Sequence, residues 1–572
     1  MPFGGPLGDR RGRGEREPVG KVARRLLQAD DERVVVRGLQ PGDARGAPEV
    51  STDLLTWTFH LRPGLRYSPP YEDVAITAPD IVRAIERTGD PRIVDGVSWP
   101  DGGYPSHFSV ICGFDEFRDG RAGSISGLET PDEHTLVVRL EEPTGDLLHR
   151  FALPATAPIP EGAAAGHRDY GPFLVSSGPY MIEGSESRDL SLPPREQTPA
   201  VGFVEGVAEG VEVLEAGSLS LVRNPSWDPE TDPIRGAYVD RIEIRILDEP
   251  ATSAEAWGLV TAGELDTILE APPAPVVAEY TSAPDLQGRV LTAPGNLYGY
   301  IPMNLVVPPF DDLHVRKAVM LAVDREGVAR RYVASGWPAP VLGGHLLPDS
   351  LTGNLLAEYE PYPYGDLEAA RGEMARSAYD MDGDGRCDAR ACTAVPAMMP
   401  ARDPYDLDPL LVRNLRGIGI DLRVRSVTGD YFSELQAGEA GILLQVVEVP
   451  SDYLDASHVY LSCFASETIG RTPWNSSLVG ATDEQLRELG LPPVDTPSVD
   501  DRIAHCMSSM GSAEVACWAD LERYVMEEVV PWIPMWSGDA MEIVSERVAE
   551  ATLTQWTGMV ALDRVALAPG SD

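Results

Sequence analysis

Lysine is nearly missing from this chain of 572 residues: Lys21 and Lys317 are the whole complement, and arginine supplies the rest of the basic charge. A GC-rich coding bias accounts for that preference, and no function attaches to it. Basic charge as a whole is scarce. The 47 basic against 90 acidic residues leave a formal net charge of −43, which repels phosphate backbones and anionic lipid surfaces and argues against a nucleic-acid partner. No apolar run approaches the roughly 18 to 20 residues that a membrane-spanning helix requires. Residues 1–18 (MPFGGPLGDRRGRGEREP) carry arginines with no apolar stretch after them, so they do not form a secretory signal. The nine histidines show neither His-x-x-x-His nor His-Glu-x-x-His spacing and read as ordinary surface or core residues, which leaves a metal hydrolase without support. The six cysteines contain no Cys-x-x-Cys pair, against a zinc or thioredoxin site. Neither a Gly-x-Ser-x-Gly elbow nor a Gly-x-x-x-x-Gly-Lys loop is present, and no fixed-period repeat suggests a solenoid or propeller. The expectation is a protein that is not an enzyme.

What is present is a mixed α/β pattern in a chain that is 43% hydrophobic, long enough for three or four compact units. Residues 54–61 (LLTWTFHL) alternate as a half-buried strand does, and Pro63-Gly64 turns the chain. A helix opens at Thr77, with Pro79 in its first turn, Asp80 at the positive end of its dipole, and Ile81, Val82 and Ile85 on its buried face. Strand patterns recur at 135–140, 218–223 and 241–246, while the Pro/Gly/Glu-rich tract 192–217 reads as a surface insertion. The spacing predicts one helix over 315–333 ended by Gly336-Trp337-Pro338, another over 410–418 stopped by Gly419, and a strand over 420–424. Cys506 and Cys517 fall on two consecutive helices joined by a loop around Gly511, and Cys387 and Cys392 are also close in sequence. Both pairs suit short disulfides in an oxidising compartment, with buried free thiols as the alternative.

Several of these segments resemble one family, the extracellular solute-binding proteins of family 5, which serve ABC importers and include dipeptide-, oligopeptide- and nickel-binding members. The strand and turn TWTFHLRPG at 56–64 followed by TAPDI at 77–81 is similar to the family's strand, turn and helix signature. SGPY at 177–180, RNP at 223–225, VDRI at 239–242 and AGELD at 262–266 keep its order and spacing. PFDD at 309–312 with VRKA at 315–318 and AVDR at 322–325 resembles the helix that begins the second lobe. SDYLD at 451–455 resembles an Asp-Tyr-x-Asp segment, and VPWIP at 530–534 the return to the first lobe.

The resemblance implies a two-lobed periplasmic-binding-protein-like α/β fold of class II, the large peptide-binding type, with an extra subdomain in lobe I. Lobe I is expected over 1–300, with the subdomain at about 40–172 and completion by 530–572, and lobe II over 301–529. The joins are expected near 297–304 and 531–536. The implied function is extracytoplasmic delivery of a peptide-like solute to an ABC permease by hinge closure, as a monomer and without a cofactor. The alternatives are a ligand-sensing module split from a longer membrane or regulatory protein and, more distantly, an α/β hydrolase. RRLL at 24–27 and GL at 38–39 resemble positions that usually follow several dozen residues bearing a signal, a lipid-bearing cysteine and a first strand, so a truncated start or a longer fusion is expected.

In the peptide-binding relatives the aspartate of the Asp-Tyr segment pairs with the ligand's α-amino group, which puts Asp452 in that role beside Tyr453. Val449 stands where the family usually has tryptophan, and Pro450 has no N–H to donate to an extended peptide laid along that strand. Tyr180, Trp337, Tyr298 and Tyr300 are further candidates for the cleft wall, with ordinary packing as the alternative. Asp380, Asp382, Asp384 and Asp388 occupy positions 1, 3, 5 and 9 of a calcium-loop pattern with Gly385 at 6, but position 12 is Ala391, so the bidentate glutamate is missing. The alternative there is a polar turn.

Overall fold

The computed structural model describes residues 47–90, 104–161, 175–187, 218–232, 234–245, 254–270, 272–334, 340–400, 407–427, 441–444, 447–450, 452–471, 473–554 and 558–570. The tract 192–217, Trp337 and the segments at 24–27 and 38–39 lie outside them.

The first packed unit is built on a four-stranded antiparallel sheet in the order β1-β2-β4-β3, formed by Glu49–Val50, Thr56–His60, Leu128–Asp132 and Thr135–Arg139. Alternation along β2 and β4 turns Trp57, Phe59, Leu136 and Val138 inward. Helix α1 (Ala78–Gly89) covers them with Ile81 and Ile85. It begins where the sequence places it: the Asp80 carboxylate accepts from the Thr77 N–H at 2.9 Å, satisfying a donor at the helix start. Short helices, among them α2 (Tyr104–Phe108) and α3 (Leu147–Phe151), add to this subdomain, and the ring of Phe151 stacks on Phe59 with centroids 5.0 Å apart.

A smaller antiparallel sheet, β5-β6-β7, pairs Tyr180–Ile182, Ser218–Arg223 and Arg241–Arg245. A separate core gathers Trp257, Val260, Ile268, Val276 and Tyr280 around Ile543. The largest core spans residues 298 to 536 and surrounds a parallel sheet in the order β11-β10-β12, made of Leu422–Val427, Val395–Pro400 and Ile442–Leu443. Helix α4 (Leu313–Ala322) packs within it, and its buried Arg316 donates to the carbonyls of Phe310 and Val529 at 2.7 and 2.8 Å.

The single helix expected over 315–333 is two. Val323 turns extended at ψ 120°, and α5 (Arg325–Ala334) starts afresh because the Asp324 carboxylate accepts from the Gly327 N–H at 2.8 Å. Helix α6 (Asp408–Gly417) ends as expected, with Gly419 at φ +87° and its α-carbon set so close to the Cys387 backbone that a side chain would collide with it.

Two long antiparallel strands, β8 (Val290–Pro302) and β14 (Trp532–Ile543), join the cores in a four-stranded sheet in the order β13-β8-β14-β9, with Val447–Pro450 and Val341–Leu342 at its edges. At about 3.4 Å per residue each runs about 40 Å, enough to leave one core and enter another. β8 starts beside the Trp257 core at Val290 and reaches the large core at Tyr298, Tyr300 and Ile301; β14 makes the return journey from Trp532 to Ile543. The handover therefore falls within 291–297 and 537–542, beside the expected joins at 297–304 and 531–536, which sit in the large core. Register breaks in that stretch: Gly538 pairs with Leu297 and Ala540 with Ala293, leaving unmatched residues around Pro294-Gly295.

Disulfides link Cys387 to Cys392 and Cys506 to Cys517, with Cα separations of 6.1 and 5.4 Å. The second joins α8 (Asp500–Met507) to α9 (Ser512–Tyr524). Peptide mapping without reductant will recover both bridges. Cys517→Ser will lower unfolding free energy in urea by about 2–4 kcal/mol, the range for short native loops; an unchanged midpoint would mean that the bridge carries no stability.

Two buried acids set a pH dependence. Burial pushes both Glu514 and Glu542 up to about 9, helped by neighbouring Asp455 and Asp146 in the first case and Glu270 in the second. Each keeps its proton in the folded chain where the unfolded chain has released it near the ordinary glutamate value of 4.5. The folded state then binds more protons across the window from about 4.5 to 9, and stability falls as pH rises through it, by at most about 1.4 kcal/mol per pH unit per group. Glu542→Gln will flatten this fall and be more stable than wild type at pH 8 in urea titrations. An equal slope in the variant sinks the assignment.

Candidate functional site

The subdomain meets the large core along a seam built by α2, α3 and the chain that follows β13. Gly145 fixes the closest approach: its N–H donates to the Met507 carbonyl at 2.8 Å, and any side chain there would strike the carbonyl of Ser509. Asp146, fully buried, accepts from Arg150 Nε at 2.8 Å through Oδ1 and from the hydroxyls of Tyr453 and Ser457, each at 2.7 Å, through Oδ2. Burial pushes this carboxyl up, but the Arg150 guanidinium and the two hydroxyls outweigh it and hold Asp146 below the usual carboxylate range. Arg150 also donates to the His107 carbonyl at 3.0 Å, which fixes the backbone of α2. One ion pair from the subdomain is thus completed by two hydroxyls from the other side of the seam.

Tyr453 and Ser457 are placed by local rules. β13 pairs with β8, Val449 opposite Tyr298 and Pro450 opposite Leu297, and the chain then leaves the sheet. Helix α7 (Ala456–Phe464) follows, capped by Asp455, whose carboxylate accepts from the Ser457 N–H at 2.8 Å. In this turn Asp452 reaches across the seam: its Oδ2 lies 2.8 Å from His107 Nε2, while its N–H donates to His458 Nε2 at 3.3 Å. Burial alone would push the Asp452 carboxyl up; the hydrogen bond from His107 and the charges of His458 and His107 hold it below its usual value. His458 is pushed down to about 4, by burial first and then by His107. The Tyr453 ring meets three imidazoles, edge-on to His107 and His458 at 5.6 and 5.1 Å and stacked on His149 at 5.7 Å.

A cavity of about 230 Å³ opens beside the crossing strands. Tyr298, Tyr300, Trp532 and Trp536 wall it from β8 and β14, Tyr359 and Tyr364 from the large core, and Asp349, Glu358 and Glu360 make its charge negative. The rings of Tyr300 and Trp532 stack within 5° of parallel, a rigid wall that loses little side-chain entropy on ligand contact.

The structure brings Asp452 and Tyr453 together, and puts Val449 on the same sheet as the cavity wall. Tyr180 lies elsewhere, on β5, with its hydroxyl donating to the Val239 carbonyl at 2.8 Å. Trp337 lies outside the described residues. Donor oxygens of Asp380, Asp382 and Asp384 fall within 4.8 Å of one another, but the loop's carboxylates also accept its own N–H groups: Asp380 from Gly383 and Gly385, Asp388 from Met381. Those bonds make a polar turn in their own right, and Ala391 sits in a one-turn helix, Arg390–Cys392. The sequence reading missed His107, His149 and His458, which it took as scattered. Residues 107 and 149 stand more than three hundred positions before 458, so no spacing signal links them; only the fold unites the three.

A family model for bacterial extracellular solute-binding proteins, family 5 middle, matches residues 38–192 and 211–470. A probable peptide ABC transporter periplasmic-binding protein of Sinorhizobium fredii is 28% identical over 290 residues, 49% of this chain and 44% of that protein. The periplasmic oligopeptide-binding protein OppA of Escherichia coli is 24% identical over 323 residues, 56% and 51% of the two chains. The chain thus spans about half the length of the curated relatives it matches. Among solved structures, the clavulanic acid biosynthesis oligopeptide binding protein 2 superposes with a TM-score of 0.72 at 24% identity, over 96% of this chain and 92% of that one. The Escherichia coli murein tripeptide binding protein MppA gives 0.60 at 17% identity, over 96% and 93%. The fold is the two-lobed periplasmic-binding type, and the family consists of binding proteins rather than enzymes. With its model matched over most of the chain, this protein belongs to the bacterial extracellular solute-binding proteins of family 5.

Proposed function

We propose that the chain is a solute receptor that works outside the cytoplasmic membrane as a monomer and hands a small, amine-bearing, peptide-like solute to an ABC permease. The observation that carries this reading is the aromatic, acid-lined cavity set against the two strands that pass between cores. Rotation about the register break at Pro294-Gly295 and Gly538 moves the Trp257 core against the large core that carries this cavity. Contacts made only in the closed arrangement then shift the population toward it, by no more than their differential free energy. Tyrosine and tryptophan faces with carboxylates around them attract a cation and resist an anion. Asp452 supports the same polarity: one oxygen is held by His107, and its side chain remains 45% exposed. The relatives' printed names point to peptides, and the missing N–H at Pro450 favours recognition through the amine and side chains over a full β-ladder.

Native mass spectrometry of the purified protein identifies the copurifying solute, and small-angle scattering with that solute reads closure as a smaller radius of gyration. Against a peptide with a free amine, Asp452→Ala removes a charge-assisted bond at a cost of about 2–5 kcal/mol, a loss of about 30-fold to several thousand-fold in affinity. N-acetylating the peptide will lower wild-type affinity comparably and add little to the variant's loss. If Asp452→Ala and Asp452→Asn both bind the native solute within about threefold of wild type, a difference below about 1 kcal/mol, the amine contact is wrong. If solute leaves the radius of gyration unchanged, the closing receptor is wrong.

A further inference from the structure

We propose that His107, Asp452 and His458 form a binding site for a divalent transition cation of the zinc class, with its ligands drawn from both sides of the subdomain seam. One donor atom from each residue lies within 4.8 Å of the other two. Metal–ligand bonds of 2.0–2.2 Å at tetrahedral angles set donors roughly 3.3 Å apart. Small side-chain rotations therefore close the set around an ion, and the 2.8 Å bond between His107 and Asp452 opens slightly to admit it. Two imidazoles and one carboxylate suit zinc, cobalt or nickel, whereas calcium and magnesium require oxygen donors.

The donors are also prepared. Both imidazoles are buried, His107 at 8% exposure and His458 at 6%. His458 presents the Nε2 lone pair that now accepts from the Asp452 N–H, and its Nδ1 is buried without a hydrogen-bond partner among the described residues. The surroundings hold these side chains in place: Arg150 fixes the His107 carbonyl, Asp455 caps the helix bearing His458, and the Tyr453 ring packs edge-on against both imidazoles. Three protein ligands leave a coordination position for water or for a donor atom of the solute. Because His107 belongs to the subdomain and His458 to α7, an ion here pins the seam. The site shares Asp452 with the proposed amine contact but does not depend on it, so the test turns on the histidines.

The full-length chain, stripped with EDTA and dialysed, is titrated with zinc chloride by calorimetry in excess calcium, and with cobalt chloride by visible absorption. The expected result is one equivalent bound, with cobalt bands of low coordination number. His107→Ala and His458→Ala should each weaken zinc by more than the about 10- to 100-fold that loss of even an outer partner brings. Asp380→Asn should leave zinc binding unchanged, which separates the site from the acidic loop. Absence of stoichiometric zinc binding in the wild type overturns the proposal, as does wild-type affinity in the two histidine variants, each confirmed folded by circular dichroism. Solute affinity of the wild type, measured in EDTA, reads the solute site without the metal. A solute reading that fails there fails separately from the metal site.

Discussion

Everything at the seam depends on one carboxylate without water. Asp146 is fully buried and ionised, a state that costs several kcal/mol unless each lone pair is occupied. Arg150 supplies the countercharge, yet that pair alone leaves Oδ2 unsatisfied. Tyr453 and Ser457 complete it, and both come from the turn and helix that carry Asp452 and His458. The position of the candidate site is therefore a by-product of satisfying Asp146. Such an arrangement contributes little net stability compared with an apolar seam of the same volume, but it disfavours other registers, because a shifted α7 would leave Oδ2 of a buried carboxylate without its two hydroxyl donors.

The crossing strands impose a second constraint. Their backbone bonds run almost continuously from one core to the other, so the sheet couples the two cores, and the ladder is interrupted near Pro294-Gly295 and Gly538. The aromatic wall on β8 and β14 lies on the large-core side of that interruption. The cavity beside Tyr300 and Trp532 therefore belongs to the large core.

Much of this was legible in the residues, and the boundary between what was and what was not is physical. Strand β2 announces itself by strict alternation, α1 by Thr77, Pro79 and Asp80, and the stop of α6 by a glycine in the left-handed region; each is a local rule with a local cause. The Asp-Tyr segment was found by its likeness to a family pattern, and the Cys506 and Cys517 pair by spacing. The break at Val323 was missed because apolar periodicity runs straight through it, and the deciding interaction is a single Asp324 cap. The three imidazoles around Tyr453 were invisible for a different reason: contacts between residues 107, 149 and 458 are created by folding and leave no periodic trace along the chain. Asp146 likewise looks like any other acid in a chain with 90 of them.

The glycine at 145 has a mechanical consequence. With its α-carbon wedged against the carbonyl of Ser509 and its N–H bonded to Met507, the subdomain is clamped to α8 and α9, while the chain also ties it to the strands leading toward the Trp257 core. Three bodies connected in this way form a closed loop of linkages. Were the two cores to rotate at the break in β8 and β14, the subdomain would either follow the large core or part from it at Gly145 and Asp146.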